Sequence, residues 1–427
     1  MDKKLHWMRL DNAAKIYPAA KRRNWVNLFR LSATLTETID PVVLESAIET
    51  TVKRFPSISV GIKRGFFWYY LEEVNTPPKP KKDGPCPLIK VKFSEMRRCA
   101  FRVLYYENRI AVELFHSLTD GNGGLIFLKT LVAEYLLQKY GVQIPCTNGV
   151  LSRTEPPKSD ELEDSFLKYP GDVGKDRAEP NSFRLTGTKE ENGFHNLTTG
   201  IIPVSEVLAE AKKHNVSLTV FLVSVMIASI IEIQNEKTPK RKKQKHVKLL
   251  IPVNLRKFFK SSSLRNFVLF VTPGIDPRMG EWTFEEILKA IHHQMGTDIT
   301  AKEMASRIAA NVQVEKAFVL KIMPLFIKNL AMKIVYNMIG EKKSCFAFSN
   351  LGAISIPEGL DEYVTRFDFI LGVQATNPYN CGVLSYKENL YINIIRDIKE
   401  PTLERKFFTY LRKLGIHVKI ESNQKEY

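Results

Sequence analysis

Cysteine is scarce in this sequence, and the few cysteines lack the spacing of a metal or redox motif. The chain of 427 residues contains five of them, scattered and without a C-x-x-C pair: Cys86, Cys99, Cys146, Cys345 and Cys381. An odd, dispersed set argues against a disulfide framework and against a structural zinc site. We therefore expect no bound metal and a reducing compartment, the cytoplasm.

Long apolar runs are also missing. Residues 1–10 carry charges along their length and lack the apolar stretch of a secretory signal. The longest apolar run, Leu218–Ile231, ends at Glu232 and is shorter than the roughly 20 residues that cross a bilayer. Because Ser217 can serve as its N-cap, this run predicts a buried core helix.

Peripheral membrane contact stays open for a second segment. Phe318–Val335 is apolar but is interrupted by Lys321, Lys328 and Lys333. Such a composition occurs in helices that lie on a membrane surface. The alternative is an ordinary core or lid helix.

Acidic residues are outnumbered by basic ones. The chain has 63 lysines and arginines against 46 aspartates and glutamates, which gives a formal net charge of +17. This excess predicts an anionic partner such as nucleic acid, a membrane surface or a phosphate-bearing ligand. The most basic run, Lys237–Lys248, contains no aromatic residue, whereas nucleic-acid binding calls for basic and stacking side chains together. We expect no nucleic-acid partner, and a solvated loop is the ordinary interpretation of this run.

The chain divides into two halves around a polar middle. Residues 147–200 are rich in Pro, Gly, Asp, Glu and Ser and poor in apolar clusters, as in a long crossover between domains. We place one domain at residues 1–150, a crossover linker at 151–199 and a second domain at 200–427. Both halves mix strand-like and helix-like patterns, which predicts an α/β (α+β) two-layer sandwich.

The most informative stretch is an apolar strand that ends at a histidine. In Arg109–Phe115 the side chains of Ile110, Val112 and Leu114 alternate onto one face, and His116 follows directly. Asn122-Gly123-Gly124 then predicts a break before a helix over 125–140. An isolated histidine at a strand end is usually a structural residue, so its interpretation depends on the neighbouring residues.

Those neighbours carry a family resemblance. His116 to Gly121 has the pattern H-x-x-x-D-G, which resembles the signature of the CoA-dependent acyltransferase superfamily. That superfamily includes chloramphenicol acetyltransferase, alcohol O-acetyltransferases, wax ester synthases and peptide-synthetase condensation domains. Three more stretches resemble it, so the resemblance spans most of the chain: Asp40–Glu49 leading to Arg54-Phe55-Pro56, Ile251–Arg256 and Phe348–Gly352.

Details favour some branches of the superfamily over others. Condensation domains carry two adjacent histidines, whereas Phe115 precedes His116 here. The plant-type D-F-G-W-G motif is missing, although Asp368-Phe-Ile-Leu-Gly372 resembles it weakly. An alcohol-acetyltransferase-like or wax-synthase-like member fits best.

The resemblance implies a fold and a reaction. It implies two similar chloramphenicol acetyltransferase-like domains with an active-site channel between them. An acyl group, for example acetyl, would pass from an acyl-CoA or an acyl-carrier protein to an alcohol or amine, with acyl-CoA as co-substrate and no tightly bound cofactor. His116 would be the general base, a task that suits imidazole because its pKa lies near neutrality.

The resemblance also assigns supporting roles. Asp120 would be structural, with Arg256 as its partner, since a guanidinium can clamp a carboxylate. Gly121 would permit a tight turn and the close approach of a ligand. Ser349 and Asn350 are candidates for the oxyanion site, although turn-capping is an equal alternative for them.

Binding of the donor phosphates is a further hypothesis. Its candidate residues are four in the basic run: Lys240, Arg241, Lys242 and Lys243. Two rivals from other classes remain, a non-catalytic binding or assembly protein that retains the fold and a basic protein that associates with polyanions or membranes. Acyl length, acceptor identity and oligomeric state do not follow from the sequence.

Overall fold

The computed structural model describes residues 7–19, 27–169, 180–316, 323–335, 342–374 and 377–424. Its strands are β1 (Trp7–Arg9), β2 (Leu28–Leu35), β3 (Val60–Arg64), β4 (Tyr69–Glu73), β5 (Lys81–Lys82), β6 (Phe101–Tyr106), β7 (Arg109–Phe115), β8 (Asn196–Pro203), β9 (Val247–Lys248), β10 (Ile251–Asn254), β11 (Val268–Val271), β12 (Gly274–Ile275), β13 (Phe348–Ala353), β14 (Val364–Leu371), β15 (Tyr379–Tyr386), β16 (Asn389–Arg396) and β17 (Lys419–Ser422).

The α-helices alternate with these strands along the chain. They are α1 (Ile16–Ala19), α2 (Pro41–Thr51), α3 (Phe93–Met96), α4 (Gly121–Tyr140), α5 (Val204–Lys213), α6 (Leu218–Lys237), α7 (Phe284–Asp298), α8 (Ala301–Lys316), α9 (Leu325–Val335) and α10 (Thr402–Lys413). The architecture is a mixed α/β one, as the sequence predicted.

Two five-stranded sheets organise the fold. The first has the strand order β14-β2-β7-β6-β5, and the second has the order β13-β15-β16-β8-β17. Helix α4 packs against β2 and β7 of the first sheet, while α5 packs against β8 of the second. The described residues form two apolar cores, in agreement with the two domains that the chain length predicted. The first sheet lies in one core, whereas β15 and β16 of the second sheet contribute side chains to both cores.

The two sheets do not divide at a single point in the chain. Strand β14 comes from the C-terminal half, yet it pairs antiparallel with β2, with Phe369 opposite Leu31 and Asp368 opposite Ser32. The division into residues 1–150, 151–199 and 200–427 stays a prediction. It assigns residues 364–371 to the second domain, although these residues complete the first sheet.

A buried ion pair holds the polar middle of the sequence, residues 147–200, at one point. Arg54, from the R-F-P stretch, donates from both terminal nitrogens to the Glu161 carboxylate at 2.6 and 2.7 Å. Removing the two charges from water costs free energy, and the two parallel hydrogen bonds of the bidentate pair offset much of this cost. At Glu161 the polar middle of the sequence is therefore fixed to the segment that follows α2.

Local sequence signals located several helices well. Asp40 caps α2 by accepting from the backbone N–H groups of Val42 and Val43, a contact worth about 1 kcal/mol. Ser217 caps α6 by accepting from Val220 N. Among the described residues, α6 is the one helix long and apolar enough to cross a membrane, but most of its apolar stretch is buried inside the protein.

Two segments differ from what their sequences predict. The alternating run Ile89-Lys-Val-Lys-Phe93 is typical of a strand, but it does not form one, and Phe93 instead begins the short helix α3. The Asn122–Gly124 stretch does not break the chain, because α4 already begins at Gly121. Asp120 explains the second difference: its carboxylate accepts from Asn122 N and Gly123 N and so starts the helix through the glycines.

The segment considered for membrane contact is only partly described. Residues 318–322, including Lys321, lie outside the described residues, as does the side chain of Lys333. Lys328 is buried, donates to Phe67 O at 3.0 Å and lies 3.7 Å from the centre of the Trp68 ring. This lysine therefore binds the β3–β4 hairpin rather than a headgroup, and membrane contact stays a prediction.

Gly123 allows the two halves of the protein to approach closely, which gives a stability test. A Cβ at this position would lie 2.3 Å from the backbone oxygen of Leu264 and 2.2 Å from Thr119 Oγ1. We expect Gly123→Ala to lower the free energy of unfolding by about 1–3 kcal/mol, because backbone must move. Urea denaturation followed by circular dichroism measures this loss.

The matched control is Gly296→Ala in α7, where an added Cβ meets nothing within 4 Å. This variant should gain about 0.5–1 kcal/mol, since alanine favours the helix. Equal effects of the two substitutions would contradict the close approach at Gly123.

Candidate active site

His116 lies one residue beyond β7, where the first sheet ends. Phe115 pairs with Leu28 at the last position of the β2–β7 ladder, and His116 N donates to Asn27 O at 2.8 Å. The side chain is half-buried. A rigid, hydrogen-bonded strand end thus fixes the backbone of this histidine while the imidazole stays partly accessible.

Two aromatic rings and one amide surround the imidazole. Tyr17 stacks on His116 with ring centres 4.8 Å apart and an interplanar angle of 22°. Phe29 approaches it edge-on at 5.2 Å. Asn266, on the loop between β10 and β11, places Oδ1 3.1 Å from Nδ1. No described residue makes a hydrogen bond to Nε2.

Burial sets the protonation state of His116. Removal from water lowers the pKa of His116 below its ordinary 6.5, while hydrogen bonds to its own carbonyl and to Asn266 and the charge of Asp120 act in the opposite direction. The net shift is downward, so the imidazole is mostly neutral at pH 7 and can accept a proton. This is the state that a general base requires.

Asp120 is committed to structure rather than to proton transfer. Its Oδ1 caps α4, and its Oδ2 accepts from Arg256 Nη1 at 2.6 Å and from Phe267 N at 3.0 Å. Arg256 donates further to the carbonyls of Ser263 and Arg265. The carboxylate is 1% exposed. The structure thus brings Asp120 and Arg256 together, and their contact holds the β10–β11 loop against the motif.

Gly121 is the first residue of α4, and the group that approaches it closely is a side chain of the protein itself rather than a ligand. A Cβ there would lie 2.7 Å from the Leu351 side chain. Leu351 belongs to β13, the strand that also carries Ser349 and Asn350. Glycine at this position therefore lets β13 approach the motif, and the ligand contact expected for Gly121 stays a prediction.

The two oxyanion candidates differ in their surroundings. Asn350 donates to Thr219 Oγ1 at 3.0 Å and accepts from Gly352 N at 2.8 Å. Its amide is therefore already engaged in the turn-capping role that was the alternative. Ser349 is buried at 8% exposure one residue earlier on the same strand, and its role at the oxyanion site stays a prediction.

The basic run lies at the far end of α6 from the strand β13. Thr219, which binds Asn350, is in the first turn of α6, whereas Lys240, Arg241, Lys242 and Lys243 follow its last residue. At 1.5 Å per residue, the helix separates the two ends by roughly 30 Å. All four basic residues are exposed, and Arg241 pairs with Glu281 at 3.0 Å. This placement does not support donor binding, which stays a prediction.

Four residues around His116 were missed by sequence reasoning: Asp11, Tyr17, Phe29 and Asn266. Asp11 and Tyr17 follow the charged residues 1–10, and no motif includes them. Asn266 directly precedes the apolar run Phe267–Val271, a place where a polar residue usually caps a turn. A buried polar or aromatic residue far along the chain from its partner has no local signal.

A narrow pocket lies beside Tyr17, and His116 is not among its lining residues. Its lining is mainly apolar and comprises Tyr17, Pro18, Asn27, Leu28, Ile62, Lys90, Val91, Phe93, Met96 and Phe115. Tyr17 both lines this pocket and stacks on His116, so its ring connects the pocket with the candidate base. Among the described residues, no group of three or more His, Cys, Asp and Glu side chains could hold a metal ion.

Comparison with known proteins gives a fold. No family model matches the chain, and no curated protein matches it in sequence. Among solved structures, TRI101 of Fusarium sporotrichioides, complexed with coenzyme A and T-2, aligns with a TM-score of 0.63 at 8% identity, covering 98% of this chain and all of that one.

Two other matches have similar coverage. TRI3 trichothecene 15-O-acetyltransferase from Fusarium sporotrichioides aligns with a TM-score of 0.59 at 9% identity, covering 96% of this chain and 94% of that one. The first condensation domain of the CDA synthetase aligns with a TM-score of 0.59 at 13% identity, covering 96% of both chains. Over nearly its whole length, the chain therefore has the two-domain, chloramphenicol acetyltransferase-like fold of the CoA-dependent acyltransferases and condensation domains.

Proposed function

We propose that this protein transfers an acyl group from a thioester to an alcohol or amine, with His116 as the general base. The observation that carries the proposal is the state of His116. Its pKa is lowered by burial, its Nδ1 is engaged by Asn266, and its side chain is still partly accessible at a rigid strand end. This leaves Nε2 as the atom that can accept a proton.

The structural matches support acyl transfer as the reaction class. One of the matched proteins is named as a 15-O-acetyltransferase, and another was solved with coenzyme A. They favour acyl-CoA as the co-substrate of this chain, with no tightly bound cofactor. The condensation domain keeps an acyl-carrier protein as the alternative donor.

The proposed mechanism uses one proton and one oxyanion. Nε2 of His116 takes the proton of the acceptor O–H or N–H as its oxygen or nitrogen attacks the thioester carbonyl carbon. The tetrahedral oxyanion is stabilised by donors near β13, with Ser349 as the candidate. When the C–S bond breaks, the imidazolium returns the proton to the departing thiolate. A positioned base of this kind contributes roughly 10²–10⁴-fold.

The pocket beside Tyr17 supports an apolar substrate portion. Leu28, Ile62, Phe93 and Met96 line it, and apolar walls bind hydrocarbon through the hydrophobic effect. We propose that it receives the acyl chain or an apolar part of the acceptor.

A non-catalytic binding protein is the second candidate. The observation in its favour is Tyr17, whose ring covers one face of His116. A binding protein would hold acyl-CoA or the acceptor without turnover. A basic protein that associates with polyanions would instead bind them with an affinity that falls with salt and does not change in His116 variants.

Two measurements separate these candidates. A thermal-shift panel of CoA, acetyl-CoA and longer acyl-CoAs detects binding, because a ligand of the folded state raises its apparent stability. Release of free thiol from each acyl-CoA in the presence of mixed alcohols and amines detects turnover. Stabilisation without acceptor-dependent thiol release would favour the binding protein.

His116→Ala tests the base directly. We expect a loss of roughly 10²–10⁴-fold in kcat, with the fold retained because the side chain is only half-buried. Acceptor-dependent thiol release measures the loss. His417→Ala is the control, since His417 is an exposed histidine at the protein surface, and it should keep wild-type turnover. A folded His116→Ala protein with wild-type kcat would refute the proposal.

The pH dependence of turnover tests the state of the imidazole. Only neutral His116 can accept a proton, so kcat/KM should rise with pH and level off above the pKa of His116 in the free enzyme. Because burial lowers that pKa, the midpoint should lie below the ordinary 6.5. A rate that rises through a midpoint above 6.5, or a flat profile, would be inconsistent with this base.

The Asp120–Arg256 pair gives a test of structural support. Asp120→Asn and Arg256→Ala should each lower the free energy of unfolding by about 3 kcal/mol, because each leaves a buried partner uncompensated. Each should also lower kcat. The double variant should lose less than the sum of the two single losses. Strict additivity in urea denaturation would show that the two residues act separately.

A further inference from the structure

A buried carboxylate near His116 has no part in the mechanism proposed above. Asp11 is fully buried in the N-terminal segment, at 0% exposure. Its Oδ1 accepts from Ala14 N at 2.7 Å, and its Oδ2 lies 3.8 Å from Arg265 Nε. A buried carboxylate is costly unless hydrogen bonds and charges compensate it, so its remaining contacts are informative.

Those remaining contacts go to Asn266. Asp11 Oδ2 accepts from Asn266 Nδ2 at 3.2 Å and lies 3.3 Å from Asn266 N. Because Oδ2 already accepts from the backbone N–H of Asn266, this oxygen is an acceptor, and the amide group of Asn266 presents its NH₂ to it. The opposite orientation would place two oxygens against each other. The carboxylate therefore fixes which way the Asn266 amide points.

The orientation of Asn266 has a consequence for His116. With Nδ2 turned toward Asp11, the Oδ1 acceptor lies 3.1 Å from His116 Nδ1. A neutral imidazole carries its hydrogen on one nitrogen, and the nitrogen that faces an acceptor is the one that keeps it. The carbonyl of His116 itself is a second acceptor for the imidazole, and no described residue makes a hydrogen bond to Nε2. Nδ1 is then the donor, and the lone pair is on Nε2.

We infer that Asp11 and Asn266 are positioning residues that hold neutral His116 in the Nδ1–H tautomer with Nε2 as the base. Asp11 orients the amide, and the amide orients the imidazole. The use of this tautomer in catalysis rests on the proposed function. The tautomer itself is a property of the folded protein and needs no turnover to be observed.

The placement of these residues supports a dedicated arrangement. Asn266 is 2% exposed and Asp11 is 0% exposed, so water does not compete freely for either contact. Arg265 anchors the same loop by donating to the carbonyls of Leu162 and Arg9. The N-terminal segment that carries Asp11 also carries Tyr17, whose ring stacks on the imidazole. One segment thus orients the base and covers one of its faces.

Nitrogen NMR of the histidine ring tests the tautomer without an assay. The chain has eight histidines, and the His116 signals are assigned by their loss in His116→Gln. At a pH where His116 is neutral, Nδ1 should have the shift of a protonated nitrogen and Nε2 that of an unprotonated one. An Nε2–H tautomer in the wild-type protein would overturn the inference.

Three variants then locate the cause. Asn266→Ala and Asp11→Ala should raise the share of the Nε2–H tautomer, because the His116 carbonyl is then the one acceptor left for Nδ1. Both variants should also lower kcat by about tenfold with little change in KM. Asp11→Asn should retain most of the wild-type pattern, because its side-chain oxygen can still accept from Asn266 Nδ2. A folded Asn266→Ala protein with the wild-type tautomer and wild-type kcat would overturn the assignment.

A matched buried pair controls for general destabilisation. Asn393 is 1% exposed and lies on β16, with Nδ2 3.5 Å from Asp368 Oδ1. Asn393→Ala should lose stability without altering the ring signals of His116. If wild-type protein shows the Nδ1–H tautomer but His116→Ala keeps its turnover, the positioning stands and the general-base proposal fails. If wild-type protein shows the Nε2–H tautomer and His116→Ala loses its turnover, the general-base proposal stands and positioning by Asp11 and Asn266 is excluded.

Discussion

One buried carboxylate, Asp120, joins the two halves of this protein at the point where His116 lies. Its first oxygen starts helix α4, and its second binds Arg256 and the backbone of Phe267. A helix N-terminus, a guanidinium and an amide together compensate the cost of burying the charge. The β10–β11 loop is consequently held against the strand end, and Asn266 on that loop comes within hydrogen-bonding distance of the imidazole.

The surroundings of His116 combine four parts of the chain. The strand β7 supplies the backbone position, β2 supplies Phe29, and the β10–β11 loop supplies Asn266. The N-terminal segment supplies Tyr17, which stacks on the ring, and Asp11, which binds Asn266. Each contact removes water from the imidazole, and the loss of water lowers its pKa. The same burial that gives a neutral base also covers one face of its ring with Tyr17.

The glycines at positions 121 and 123 are explained by close packing against α4 rather than by a loop. Gly121 and Gly123 lie in the first turn of α4, where added Cβ atoms would meet Leu351 and the Leu264 carbonyl. The sequence interpretation of a glycine-rich break was reasonable, because glycines commonly end helices. The cap supplied by Asp120 outweighs that tendency. The small residues then allow elements of the second half to approach the helix.

Much of the local structure could be predicted from the sequence. Capping residues and apolar periodicity are short-range signals, so α2 and α6 and the strand before His116 follow from a few neighbouring residues. The family resemblance of His116, Asp120 and Gly121 likewise needs only one short stretch. By contrast, Asp11 and His116 meet Asn266 across 255 and 150 residues of sequence. β14 joins a sheet whose other strands all lie before residue 116. Only the tertiary structure decided these contacts, because backbone pairing and burial bring together residues that have no periodic or neighbouring relation in the chain.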